Sequence, residues 1–117
     1  MRILVTGAAG YVGSLLVERL ATCPEVTAIV ATDRRARPLA ESDGRVRYLV
    51  GALDDPALLP RLEAHLPLDA VVHAAFHIRA GYGRAAAAVE RANLDSCRNV
   101  FEFCFRNDVG RDRKSVV

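Results

Sequence analysis

The stretch that most narrows what this chain can fold into is ILVTGAAGYVG, residues 3–13. A short β-branched run stops at Thr6, and Gly7, Gly10 and Gly13 follow at intervals of three. Leu15, Leu16 and Leu20 then recur at helical spacing, with Glu18 and Arg19 left for solvent. A glycine loop between a buried strand and an amphipathic helix has a specific physical use. Free φ at the first glycine permits a tight turn, and a bare backbone at the second lets an anion approach. A third small residue lets the helix sit close to the sheet. The helix start adds unpaired N–H groups and the positive end of its dipole. Glycine loops also serve as plain turns, so the surrounding pattern has to decide. No Gly-Lys-Ser/Thr follows the glycines, which excludes a P-loop.

A carboxylate supplies the second half of the pattern. Asp33 ends the next strand-like run, VTAIVATD, twenty residues beyond Gly13 (33 − 13). There it can accept hydrogen bonds from an adenosine ribose, so glycines and acid together predict a dinucleotide site. Arg34 and Arg35 bear on which dinucleotide. An arginine here could pair with the 2′-phosphate of NADP, but Asp33 would repel the same group. The expected cofactor is NAD, with NADP as the alternative and the arginines stacking on adenine or solvated. A methyltransferase holding S-adenosylmethionine could also use a glycine loop and a strand-two acid.

The remaining chain alternates short apolar runs with helical stretches. Strands are expected at residues 2–6, 26–33, 45–50 and 69–75, the last apolar throughout like one buried on both faces. Helices are expected from Tyr11 to Ala21, after an Asp55 N-cap with Pro56 in first position, and from GYGRAAAA to about Asn107. This order predicts an α/β fold, a doubly wound parallel sheet of the Rossmann type reaching strand five.

Composition removes other classes. A net charge of +2 over 117 residues argues against a nucleic-acid surface. No run approaches the ~18 apolar residues of a membrane span. Cys23, Cys97 and Cys104 form no metal-ligand spacing, and an odd count without a leader-like segment reads as reduced thiols in a cytoplasm. Cys97 and Cys104, with Val100 and Phe101 nearby, are expected to pack in a core or interface.

Together these motifs resemble the extended short-chain dehydrogenase/reductase family, the NAD-dependent epimerase/dehydratases. TGAAGYVG is similar to the family's T-G-x-x-G-x-[VI]-G, VVHAAF to its strand-four H-x-A motif, and ANLDSCRNVFEFC to its N-x-x-G-T-x-N-V-L-E-A helix. The resemblance implies that Gly7, Gly10, Tyr11 and Val12 line the diphosphate, with Gly13 completing the glycine motif. Asp33 and Arg34 would flank the ribose, and Leu53 the adenine edge. Ala74, Ala75 and Phe76 would run under the cofactor ribose, and Asn93 would take the place of the family's helix asparagine. It further implies an oxidoreductase transferring hydride from a substrate hydroxyl, with a nucleotide sugar as a candidate substrate class. A homodimer through the long helix is expected of the full-length protein. His73 is expected to support strand-end geometry rather than to catalyse.

Two features depart from that pattern. The family favours an Asp after strand three that bonds the adenine amino group, where this chain has Ala52; Asp54 and Asp55 are read as helix caps. The family's Tyr-x-x-x-Lys pair, in which lysine lowers the tyrosine pKa, has no counterpart. Tyr11, Tyr48 and Tyr82 have Leu15, Ala52 and Ala86 at the lysine position, and fifteen arginines accompany one lysine, Lys114. Residues 1–111 are therefore expected to form the N-terminal part of an NAD(P)-binding domain, inactive without its catalytic half. The closing DRKSVV can be encoded by the start of a common sequencing-library adapter. Residues 112–117 are expected to be a non-native tail, a natural fifth strand in SVV being the alternative. A non-catalytic dinucleotide-binding or redox-sensing module is the alternative function.

Overall fold

The computed structural model describes residues 1–36, 44–75, 83–110 and 115–116. Strands β1 (Arg2–Thr6), β2 (Ala28–Asp33), β3 (Val46–Val50), β4 (Ala70–His73) and β5 (Ser115–Val116) form one sheet in the order β3-β2-β1-β4-β5. Every pairing is parallel. Helices α1 (Tyr11–Ala21), α2 (Leu58–Glu63) and α3 (Arg84–Arg106) supply the crossovers. The chain therefore has the doubly wound Rossmann-like architecture, with β1 at the centre and successive strands laid down first to one side and then the other.

Strand alternation sorts the apolar residues into two cores. Leu4 pairs in register with Val30 and Val71, and all three face the layer of α2 and α3. Leu58 and Leu62 of α2 and Val100, Phe103 and Cys104 of α3 complete that side. On the opposite face Ile3 pairs with Ile29 and Ala70, and these pack with Val5, Ala31 and Val17 of α1. A period of two along each strand thus gives both helical layers an apolar wall, which is why the central strands read as unbroken apolar runs.

Polar contacts fix the ends of these elements. The guanidinium of Arg45 reaches the carbonyls of Ala21, Cys23 and Val26, closing the C-terminal end of α1. Arg2 donates its backbone N–H to Asp69 at 2.7 Å, and its side chain donates to the carbonyls of His65 and Pro67. The start of β1 is thereby tied to the start of β4.

Several boundaries differ from the expectation. Strand β2 starts two residues late, and β4 ends at His73, with Ala74 N still donating to the Thr6 carbonyl just beyond it. Helix α2 begins at Leu58 rather than at Pro56; Asp55 still accepts a hydrogen bond from Ala57 N at 2.9 Å, in a turn that leads into it. The long helix buries Val100, Phe103 and Cys104, the stripe its spacing implies, and Phe101 leaves the expected grouping. Phe101 is 61% and Phe105 90% exposed, on the outward face with Leu94. Beside β4, Ser115 and Val116 pair with Ala70 and Val71. Phe103→Ala is expected to cost about 3–5 kcal/mol in urea unfolding, against less than about 0.5 kcal/mol for Phe105→Ala. Equal costs would contradict this assignment of the two faces.

Candidate functional site

The parallel sheet brings the ends of β1 to β4 to one edge, where the loops after them enclose an open cleft of about 160 Å³. The cleft sits between β1, whose connection runs to β2 on one side, and β4, whose connection runs to β5 on the other, the position at which open α/β sheets bind ligands. Gly7 and Gly10 form one wall, Asp33 and Arg34 the next, and Leu53 a third. Ala74 and Ala75 form the side toward β4.

Each glycine of the loop is bare for a different reason. Gly7 has φ +68°, and a Cβ on it would lie 2.5 Å from the carbonyl oxygen of Ala74. The loop therefore rests directly on the main chain at the end of β4. A Cβ on Gly13 would collide with the Gly7 carbonyl, so this residue seats α1 against the loop itself. A Cβ on Gly10 meets only the Gly7 oxygen, at 3.3 Å. Packing thus demands glycine at positions 7 and 13, whereas position 10 keeps its surface open toward the cleft.

The loop amides are divided in the same way. Ala8 N donates to the Thr32 carbonyl, Gly10 N to the Gly7 carbonyl, and Ala9 N to Asp33 Oδ2 at 3.0 Å. Gly10 is the N-cap of α1, with no side-chain cap and no acidic residue in the first turn. The helix start at Tyr11 and Val12 therefore presents backbone N–H groups and an uncompensated positive dipole end, a ready anion site. The side chains of Tyr11 and Val12 are 81% and 60% exposed and lie away from the cleft wall. Their contribution comes through the main chain.

Asp33 couples the loop to the strand end. Its Oδ1 accepts from Arg35 N at 2.9 Å while Oδ2 holds Ala9 N, and its side chain is only 8% exposed. Thr6 does similar work on the other side: its buried hydroxyl accepts from Ala74 N at 3.1 Å and shares a 2.7 Å hydrogen bond with His73 Nδ1. His73 is thus a strand-end support, as its position suggested.

Not every expected residue reaches the cleft. On α3 the wall is made by Ala92 and Ser96, with Asn93 beside them and half-buried. Phe76 lies outside the described residues, as do His77, Tyr82 and Lys114. Sequence reasoning missed Asn99, whose Nδ2 donates to the Leu53 carbonyl at 2.7 Å and bolts the loop after β3 to α3. It also read Asp54 only as a cap, whereas Asp54 stands at the cleft beside Ala52. Gly51 N donates to the Asp33 carbonyl, closing that corner.

Burial pushes the His73 imidazole below its ordinary pKa of 6.5. The folded chain then binds fewer protons here than the unfolded chain. This contribution to stability is complete above that value and declines as pH falls through it. The urea midpoint is expected to drop on acidification from about pH 8 to about pH 5.5, and His73→Asn should flatten that slope. An unchanged slope in the variant would assign the drop to other groups.

Comparison with known proteins places this geometry in a family. Residues 3–114 match the model of the NAD dependent epimerase/dehydratase family. The chain is 34% identical over 110 residues to L-arabinose 1-dehydrogenase (NAD(P)(+)) of Haloferax volcanii, covering 94% of this chain and 38% of that protein. It is 33% identical over 116 aligned residues to D-erythronate dehydrogenase of Cupriavidus necator, covering 89% of this chain and 34% of that one. Among solved structures, UDP-glucose 4-epimerase of Thermus thermophilus in complex with NAD superposes with a TM-score of 0.78 at 26% identity. That match covers 93% of this chain and 35% of the epimerase. The chain therefore spans a little over a third of these relatives, and over that span it belongs to the NAD-dependent epimerase/dehydratase family.

Proposed function

We propose that this chain is the NAD(P)-binding portion of an epimerase/dehydratase-like oxidoreductase. The observation that carries the reading is the uncapped start of α1, reached through a loop whose middle glycine, of the three, is the least constrained by packing. In this reading the main chain at Gly7, Gly10, Tyr11 and Val12 holds the diphosphate, with Gly13 seating the helix. Asp33 and Arg34 flank the adenosine ribose, and Leu53 borders the adenine. The small residues Ala74 and Ala75, with Phe76 beyond them, pass under the second ribose, and Asn93 lies near on α3. A bound nicotinamide would accept or return hydride from a substrate hydroxyl. The protein's part is to orient the cofactor against the strand ends and hold its charge at the helix start. Relatives named as sugar or sugar-acid dehydrogenases and UDP-glucose epimerases support a sugar derivative, such as a nucleotide sugar, as the substrate class.

No Tyr-x-x-x-Lys pair occurs in these 117 residues. That favours, for the chain alone, binding without turnover, and it keeps a non-catalytic dinucleotide-binding or redox-sensing role as the second reading. Calorimetric titration is expected to show NAD or NADP bound at a single site, with no hydride transfer to added sugars. Gly10→Val should weaken binding more than about tenfold, roughly the loss of one or two good hydrogen bonds to the diphosphate, while cooperative unfolding persists. Full affinity in that variant would remove the diphosphate from the loop.

The outward face of α3 supports a homodimer of the full-length protein. Leu94, Phe101 and Phe105 are all more than half exposed along it, too much apolar surface on one helix face to be idle. Sedimentation of the full-length protein is expected to give a dimer, and Phe105→Glu to shift it toward monomer. A monomer with the native phenylalanine in place would leave this face to another partner.

A further inference from the structure

We infer that Asn99 is a positioning residue for the cofactor: by holding the Leu53 carbonyl it sets the width of a slot between α3 and the loop after β3, and that slot selects the adenine ring by fit rather than through a side-chain acceptor. The inference rests on the dinucleotide reading above and deepens it.

One face of α3 makes the helix side of the slot. Ala92, Ser96 and Asn99 fall at i, i+4 and i+7, in line along the helix. The first two line the cleft and are small, so they leave room in front of them. The loop supplies the other side with Ala52, Leu53 and Asp54. Asn99 is long enough to cross the gap, and its Nδ2 donates to the Leu53 carbonyl at 2.7 Å. The gap is therefore bridged at one end by an amide and open at the other, a shape suited to a flat ring.

The hold on the loop is divided among its neighbours. Gly51 N donates to the Asp33 carbonyl, and Arg61 donates to the Val50 carbonyl at 2.9 Å, which ties the end of β3 to β2 and α2. The Asn99 bond ties the loop to α3. Without the amide, the Leu53 carbonyl has to find another donor, and the loop and helix can part.

Side chains in the slot are poorly suited to reading the base by hydrogen bonding. Ala52 carries no polar group. Asp54 is exposed at the mouth, where it also lines a second groove with Arg84 and Arg91 of α3, so its carboxylate is solvated beside two cations. A ring in the slot is held by contact with both walls, and a wall fixed beforehand need not be ordered by the ligand.

The test is calorimetric titration of the 117-residue chain with NAD and NADP and with two analogues of each. The hypoxanthine analogue loses the amino group at unchanged ring size, and the ethenoadenine analogue has a wider ring. The hypoxanthine analogue is expected to bind within about threefold of its parent and the ethenoadenine analogue about tenfold more weakly. This ranking tests the slot whether or not a variant folds. Asn99→Ala, and Asn99→Asp, which has the same outline without the donor, should weaken the parent about tenfold and shrink the ethenoadenine penalty to about threefold or less. Asn99→Gln, which keeps the donor, should recover part of both. Cooperative urea unfolding identifies the variants that fold. The inference is overturned if the hypoxanthine analogue binds more than about tenfold more weakly than its parent, which would assign the base to an acceptor such as Asp54. It is also overturned if the ethenoadenine analogue binds as well as its parent, if folded Asn99 variants keep the parent affinity and the penalty, or if they weaken all ligands equally. Failure of both NAD and NADP to bind the unaltered chain would overturn the dinucleotide reading itself, and this inference with it.

Discussion

The site depends on a contact between two pieces of main chain. Gly7, at positive φ, lies against the carbonyl of Ala74, so the loop after β1 is pressed onto the end of β4 with no side chain between them. Hydrogen bonds lock that approach from both sides: Ala74 N to the Thr6 hydroxyl, and Ala9 N to the Asp33 carboxylate. Because the loop is clamped at its two ends, the start of α1 has one direction in which to point. Pre-organisation of this kind places amides before a ligand arrives, and the ligand then need not order them.

The sheet supplies the platform for that clamp. Strand β1 is central, and its neighbours on either side, β2 and β4, carry the two residues that hold the loop, Asp33 and the Ala74 main chain. The two apolar faces make the strands rigid supports: Leu4, Val30 and Val71 on one side, Ile3, Ile29 and Val5 on the other. On the far wall, Asn99 performs for the loop after β3 the service that Asp33 performs for the glycine loop, a side chain of one element fixing the main chain of another. The cleft is thus bounded by loops that are each tied to a neighbour.

Much of this is legible from residue order. Strand and helix periodicity, the glycine spacing and the distance to Asp33 specify the parallel sheet and the cleft, because they are consequences of backbone geometry. What the spacing leaves open are the partners. The motif divides the turn, the open approach and the helix packing among Gly7, Gly10 and Gly13; which atoms lie opposite each Cα, the Ala74 carbonyl for Gly7 and the Gly7 carbonyl for Gly13, is what no local pattern encodes. On α3 the spacing implies the stripe of Val100, Phe103 and Cys104 that is buried, and only the side taken by Phe101 is misjudged. Phe101 is as apolar as Phe103, so residue type does not place it, and the sheet decides that Phe103 goes in and Phe101 out. Asn99 stands at the second asparagine of the helix motif, but the motif does not say that its side chain reaches the Leu53 carbonyl across the cleft.

The placement of β1 has a kinetic side. The strand made first is the one that must be flanked on both edges, and the register that completes it joins Ile3 to Ala70 and Thr6 to His73. A growing chain can pair β1 with β2 early, across a single helix, but the second edge stays exposed until synthesis has passed His73. Loop closure over that distance is slow relative to local helix formation. The interval in which the central strand is half-paired is therefore when this molecule would most readily find wrong neighbours on a ribosome, and when a chaperone would have the most to hold.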